Sequence, residues 1–251
     1  MGTDLGTPGA LPALFHDAAA PPVAAELDWY AARLPRHAGG VLDLACGAGR
    51  LLVPLARPGR AMHGVERSAA ALACCSARLA AEHLGATLVR QGLGELNLPF
   101  RFSAAYASAG SFQTLLDAAA ASAALRRIRA HLIAPAVLIL ELFVPAESTQ
   151  RIAAPLVELR TATLADGTRI AVRSETVMHA EARIARTQHR YVHRRGTTRL
   201  AEETESTAIT WYSREDIVAL LQTQGFERVK IEACATPREG VDAFAVIAHL
   251  E

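Results

Sequence analysis

The amino-acid sequence predicts an α/β fold built on a parallel, doubly wound sheet. Three observations carry that expectation. From Gly40 onward, short apolar runs alternate with stretches of helical periodicity. The runs are continuously apolar, as strands covered on both faces are. The first of them, VLDLACGAGR at residues 41–50, ends in an acid and two glycines one residue apart, at the place where open α/β sheets receive their ligands.

In chain order, residues 1–39 are rich in Ala and Pro and carry a helix over 23–34 that sets Leu27, Tyr30 and Leu34 on one side. The alternation then gives strand 41–45, helix 48–57, strand 61–66, helix 68–84, strand 86–91, strand 103–109, helix 118–132 and strand 136–143. Over 155–211 the period changes to two, around the turn signals Ala165-Asp166-Gly167 and Arg195-Gly196, which predicts an antiparallel insertion. SREDIVALLQTQGFERVKIEA restores the α/β rhythm. Ser213 is its N-cap, Asp216 stands at N3 where a capping box prefers Glu or Gln, and Gly225 marks the stop. Strands over 227–233 and 243–249 follow.

Composition excludes several function classes. Of 251 residues, 51% are hydrophobic and 20% charged, and no apolar stretch is long enough to cross a bilayer, so no membrane partner is expected. A net charge of +1 gives no electrostatic footprint for a phosphate backbone, so nucleic acid is not expected as a partner either. The dense basic stretch from His189 to Arg195 could bind RNA or, the blander reading, form a solvated strand edge. Cys46, Cys74, Cys75 and Cys234 have neither metal-ligand spacing nor a disulfide framework, which predicts no metal and the reduced thiols of a cytoplasmic protein. MGTDLG lacks the basic and apolar regions of an export signal, and Gly6 breaks the myristoylation pattern.

A Gly-rich turn at a strand end lets backbone N–H groups approach a ligand, and the following helix offers its positive N-terminus. Asp43 to Gly49 fits that location, and Glu66 ends the second strand, where a carboxylate can accept both hydroxyls of a ribose. Together they specify a nucleoside-containing ligand. Leu52 stands where a dinucleotide fingerprint has its third glycine, which disfavours NAD or FAD. No Lys-Ser or Lys-Thr follows the glycines, which excludes a P-loop.

VLDLACGAGRLLVPLA followed by HGVERSAAALACCSARL resembles the first two motifs of class I S-adenosylmethionine-dependent methyltransferases. FSAAYASAGSFQTLLD, LRRIRAHL, LILELFVP and WYSREDIVALLQTQGFERVKI resemble the fourth strand, the next helix, the fifth strand and the sixth helix-strand unit of small-molecule members carrying a β insertion; LFHDAAAPPVAAELDWYAARL resembles their N-terminal cap. The resemblance implies a Rossmann-like, seven-stranded methyltransferase sheet with its last strand antiparallel. It implies a helical cap at 1–39, an S-adenosylmethionine-binding domain at 40–149 and 212–251, and an antiparallel β insertion at 150–211 that covers the substrate. The activity implied is transfer of a methyl group from S-adenosyl-L-methionine to an N or O atom of a small molecule. By the same resemblance Asp43, Ala45, Gly47 and Gly49 shape the turn beside the methionine end, Glu66 holds the ribose, and Ser108 to Phe112 lines the sulfonium and the substrate. Gly92 and Leu93 stand where members usually carry Gly-Asp to read the adenine amino group, and the nearest acid is Glu95. The Asp usual at the start of the fourth strand is Ser103, and the Pro-Gly-Gly before the fifth is Ala134-Pro135-Ala136.

Methyl transfer from a sulfonium is an in-line displacement for which an enzyme chiefly supplies proximity, orientation and a dry cavity. If the acceptor is a hydroxyl or an ammonium, a proton must leave, and His is the side chain suited to take it near pH 7. His189, Tyr191 and His193 alternate, so one strand face presents all three. His16, in the cap, stands where the family often has Tyr and could close over the cofactor. Arg50 either meets the methionine carboxylate or forms a salt bridge, Cys46 reads as a packing residue, and Trp29, Trp211 and Phe112 either wall an apolar acceptor pocket or belong to the core. An exposed strand edge in the insertion could pair two copies as a homodimer. Two other readings stand beside this one: a non-catalytic or repurposed binding module on the same fold, prompted by the missing adenine acid, and a nucleotide-dependent oxidoreductase, disfavoured by Leu52.

Overall fold

Val41–Leu44 is buried at all four positions and Phe102–Ala107 at five of six, a pattern that only the centre of a sheet covered on both faces produces. The computed structural model describes residues 9–35, 39–57, 59–234 and 241–251; MGTDLG lies outside the described residues. The described chain runs α1 (Ala10–Ala19), α2 (Ala24–Arg33), β1 (Val41–Leu44), α3 (Leu52–Ala56), β2 (Met62–Glu66), α4 (Ala69–Ala81), β3 (Ala86–Arg90), β4 (Phe102–Ala107), α5 (Ala118–Ala130), β5 (Leu132–Pro145) and α6 (Glu147–Gln150). It continues through β6 (Leu156–Thr163), β7 (Arg169–His179), β8 (Ile184–Arg195), β9 (Thr198–Thr210), α7 (Arg214–Thr223), β10 (Glu227–Ala233) and β11 (Val241–Leu250).

Seven strands form one sheet in the order β10-β11-β5-β4-β1-β2-β3. The pairs from β5 to β3 are parallel, and β11 runs antiparallel between β5 and β10, which is the expected Rossmann-like order with its last strand reversed. The two side-chain directions of the strands build two cores. Leu42, Leu44, Ala105 and Leu138 point toward α5 and α7, while Val41, Ala104, Tyr106 and Ile139 point toward α2, α3 and α4. The capping box at Ser213 forms as expected: the Ser213 hydroxyl accepts from the Asp216 N–H and the Asp216 carboxylate from the Ser213 N–H.

β6 to β9 form a separate four-stranded antiparallel sheet, the lid. The Asp166-Gly167 turn joins its first two strands, with Asp166 accepting from the Thr168 N–H at 3.0 Å. Along β7, Ile170, Val172 and Ser174 are buried and the residues between them exposed, so one face of this sheet looks inward.

Two elements differ from the sequence expectation. The helix after β1 starts at Leu52 rather than 48, because Gly49 is held at φ 83° and breaks the helical path. α1 lies within the helical cap expected over 1–39, but the periodicity placed a helix only over 23–34: α1 has no side-chain cap, and its Gly9 N-cap is left-handed. Its stability comes from tertiary contact, since Leu11 and Phe15 bury themselves against Ala162, Ile170, Val172 and Tyr191 of the lid. The Glu203 carboxylate accepts from the N–H groups of Gly9 and Leu11, at 3.1 and 3.4 Å, at the positive end of the helix.

Candidate active site

The end of β1 turns sharply. Ala45 takes φ 65°, a left-handed conformation that costs a non-glycine residue energy, and Gly47 and Gly49 follow at φ 55° and 83°. The two glycines have different reasons. A Cβ on Gly49 would lie 2.6 Å from Cys75 Sγ, whereas one on Gly47 would meet nothing within 4 Å. Gly47 therefore presents open backbone to the space above the turn. Glu66, at the end of β2, accepts from the Gly47 N–H at 3.2 Å and the Ser68 N–H at 2.8 Å, clamping the turn to β2. Each of its oxygens keeps a second lone pair.

Asp43 lies beneath this turn. One carboxylate oxygen accepts from the buried Tyr106 hydroxyl at 2.7 Å, and the other has no partner, as has the Tyr30 hydroxyl. Burial pushes the Asp43 carboxyl up to about 7, against the Tyr106 hydrogen bond and Arg50, which favour the charged form. Burial likewise raises the phenols of Tyr30 and Tyr106, with Asp43 adding to both. Arg50 takes the salt-bridge alternative, donating to both oxygens of the buried Glu26 of α2 at 2.7 and 2.6 Å. Cys46 packs against Gly64 and Leu52; its contact with Cys75, then burial, raises the thiol, as suits a packing residue.

A cleft of about 640 Å³ opens over the turn, within the size range that holds a small ligand or cofactor. Ala45, Cys46, Gly47, Ala48 and Arg50 form its floor, Ser108, Ala109 and Ser111 one wall, and His16, Asp17 and Arg160 the opposite wall. The segment after β4 is fixed by residues that the sequence did not single out. Glu141 of β5 accepts from the Ala109 N–H at 2.6 Å, and the buried Gln113 donates to the carbonyls of Phe143 and Thr210, tying this wall to the lid. Gly92 and Leu93 follow β3. Leu93 is buried, and a Glu95 carboxylate oxygen folds back to 3.7 Å from the point where a Cβ on Gly92 would be.

The four imidazole and phenol candidates separate. His189, Tyr191 and His193 share the inner face of β8, but none lines the cleft. His189 is hydrogen-bonded to Ser174 and Thr207 at 2.9 and 3.0 Å, His193 to Thr168 at 2.7 Å, and Tyr191 is buried against Phe15. His16 does line the cleft, with its ring 5.6 Å from Phe15 and 6.5 Å from Tyr191. Burial first, then His189 and Arg160, holds its imidazole below the usual value, so the ring is neutral near pH 7. Phe112 and Trp211 are core residues, and Trp29 is half-buried under the Arg33 guanidinium. Of the two alternatives for these residues, Phe112 and Trp211 take the core. Among the described residues no cluster of metal-ligating side chains occurs, and no helix is long and apolar enough to cross a membrane.

Residues 41–134 match the family model of a methyltransferase domain. A search of curated proteins finds no match. Among solved structures, an S-adenosylmethionine-dependent methyltransferase from Clostridium acetobutylicum is 16% identical with TM-score 0.74, covering 90% of this chain and 91% of that one. The CcbJ methyltransferase from Streptomyces caelestis is 20% identical with TM-score 0.74, covering 97% and 96%. The sugar N-methyltransferase KedS8 from a Streptoalloteichus species is 22% identical with TM-score 0.68, covering 90% and 87%. Residues 41–134 thus match a methyltransferase domain, and the described chain has the fold of the class I S-adenosylmethionine-dependent methyltransferases.

Proposed function

We propose that this methyltransferase carries a methyl group from S-adenosyl-L-methionine to an N or O atom of a small molecule, and that His16 takes the acceptor's proton. The turn suits that cofactor: Gly47 leaves open backbone, Asp43 keeps one buried oxygen without a partner, and Glu66 stands at the end of β2 with lone pairs to spare. Asp43, Ala45, Gly47 and Gly49 would hold the methionine end, Glu66 the ribose, Gly92, Leu93 and Glu95 the adenine side, and Ser108 the reacting centre. When bound, S-adenosylmethionine supplies an electrophilic methyl group. The chain's part is to exclude water with α1 and the lid, to orient the acceptor between them and the Ser108–Ser111 wall, and to accept a proton at His16. A sugar N-methyltransferase among the structural neighbours supports a small-molecule acceptor with nitrogen among the candidate atoms. The cytoplasm suits four thiols of which none is in a disulfide. The free edges of β6 and β9 offer pairing surfaces for a homodimer.

The observation that carries the assignment of His16 is its place in the cleft wall with a ring held neutral. His16→Asn is expected to lower kcat roughly 100-fold while leaving the affinity for S-adenosylhomocysteine unchanged. The test follows S-adenosylhomocysteine release with the best acceptor from a small-molecule screen. Protonation of His16 below its lowered pKa should give the wild type an acid limb in kcat, below pH of about 6.5, and the variant should lack it. An unchanged kcat and pH profile in the variant would remove His16 from the mechanism. Binding of S-adenosylhomocysteine without transfer to any acceptor would leave a binding module.

A further inference from the structure

β6 turns alternate residues to the inner face of the lid, and one of them is an arginine. Arg160 pairs in register with the buried Val172, two residues before the buried Ala162, and lines the cleft beside His16. Its guanidinium lies 5.3 Å from the centre of the Phe15 ring, a cation–π contact that holds the charge on the cleft wall. Solubility does not call for an inward arginine, since Arg173, Arg186 and Arg190 already stand exposed on the opposite face of the same sheet.

The charges around the cleft do not balance. Glu26 accepts from Arg50 at 2.7 and 2.6 Å, and Asp17 accepts from Arg78, so both acids that line the cleft are taken by arginines. Among the described residues lining the cleft, Arg160 is left as the cation without a hydrogen-bonded acid. Its ion-pair partner Glu158 stands 3.8 Å away, and the two side chains are 43% and 68% exposed, so water screens the pair and it is worth little. His16 adds no second charge, because burial first, then His189 and Arg160, keeps its ring neutral. One uncompensated guanidinium matches one singly charged anion. Its planar fork pairs a carboxylate through two hydrogen bonds, whereas a phosphate dianion needs a second cation, and Arg50 and Arg78 are already committed.

We infer that Arg160 is a specificity-determining residue for the acceptor, and that the acceptor it selects carries a carboxylate. The inference rests on the methyl-transfer reading and adds the substrate class to it. S-adenosylmethionine brings a carboxylate of its own, but on that reading its methionine end lies over the turn, while Arg160 and His16 share the wall that faces Ser108 and Ser111. A carboxylate seated on Arg160 also acts on the base. Arg160 is one of the groups that hold the His16 imidazole down, so neutralising it lets the ring take the acceptor's proton more readily.

Calorimetric titration of the protein saturated with S-adenosylhomocysteine tests this with benzoate, benzamide and phenyl phosphate, which share a ring and differ in charge. Benzoate is expected to bind at least about ten-fold more tightly than benzamide, and more tightly than phenyl phosphate. The preference should disappear in Arg160→Gln and persist in Arg186→Gln, while both variants keep the wild-type affinity for S-adenosylhomocysteine. NMR titration of the His16 ring gives a second readout. The charged and titratable groups that act on it are Arg160 of β6 and His189 of β8, with the Asp17–Arg78 pair beside it; benzoate should raise its pKa in the wild type and leave it unmoved in Arg160→Gln. Equal binding of benzoate and benzamide, absence of binding by all three probes, a preference for phenyl phosphate, or a benzoate preference that survives in Arg160→Gln overturns the acceptor class and leaves the methyltransferase reading standing. A ten-fold or greater loss of S-adenosylhomocysteine affinity in Arg160→Gln assigns the guanidinium to the cofactor's carboxylate and overturns the acceptor class as well. Failure of the wild type to bind S-adenosylhomocysteine overturns both readings.

Discussion

The turn after β1 and the inner face of the lid are made of different material. At the turn the working groups are backbone: Ala45, Gly47 and Gly49 hold left-handed conformations in one short segment, and Glu66 locks the result to β2. At the lid they are side chains, drawn from four strands and joined by hydroxyl and imidazole hydrogen bonds. A backbone site breaks when its path is changed at one residue. A side-chain site can be re-cut residue by residue while the strands beneath it stay paired.

The largest effect should come from breaking the turn. In Gly49→Val the new Cβ meets Cys75 Sγ at 2.6 Å and Val53 at 2.9 Å, at φ 83°. Strain and overpacking together cost several kcal/mol, on the order of 1–3 each. Affinity for S-adenosylhomocysteine should fall by roughly 100-fold or more, and unchanged calorimetric binding would show that the turn does not hold the cofactor. Phe15→Ala strikes the lid side instead. Removing a fully buried ring should cost about 3–5 kcal/mol, and hydrogen exchange should show α1 and β8 losing protection while β1 and β4 keep theirs. Equal loss in both sheets would erase the distinction between the two regions.

Asp43→Asn sharpens the comparison through pH. Because burial raises the Asp43 carboxyl to about 7, the folded chain keeps a proton that the unfolded chain releases above pH of about 4. Its contribution to stability is therefore present at low pH and lost as pH rises from about 4 to 7. Unfolding free energies from urea titrations at pH 5 and pH 8 should differ more in the wild type than in the variant, by a few kcal/mol at most. Parallel curves would place the titration elsewhere. The smallest effect is expected from Glu203→Gln, which keeps an acceptor at the start of α1 but removes its charge. A loss of about 0.3–1 kcal/mol, read as a small drop in Tm that high salt narrows, checks it.

Much of the sheet was legible in the sequence because its information is local. Continuous apolar runs gave the central strands, the Asp166-Gly167 and Arg195-Gly196 signals gave two lid turns, and Ser213 with Asp216 gave the start of α7. The Gly-rich turn after β1 was legible for the same reason. α1 was not, since its first residue follows a left-handed glycine and no capping side chain announces it; Leu11, Leu14, Phe15 and Ala18 do carry helical spacing, and that was the signal available. Glu26, Glu141 and Gln113 escaped because each acts on a partner 24 or more residues away. The row of β8 candidates was read correctly as one face, but period alone cannot tell a face that lines a cleft from one covered by a helix.

α1 touches both halves of the molecule through unequal joints. Toward the lid it sets Leu11 and Phe15 into an apolar cluster closed by Tyr191, with Glu203 at its tip. Toward α4 and the turn after β1 it offers Ala13 to Ala48, Ala71 and Cys74, and one half-exposed ion pair, Asp17 with Arg78. Parting the first joint uncovers large apolar side chains; parting the second uncovers small ones and hydrates a pair worth little in water. Mechanically, α1 is a latch riveted to the door rather than to the frame.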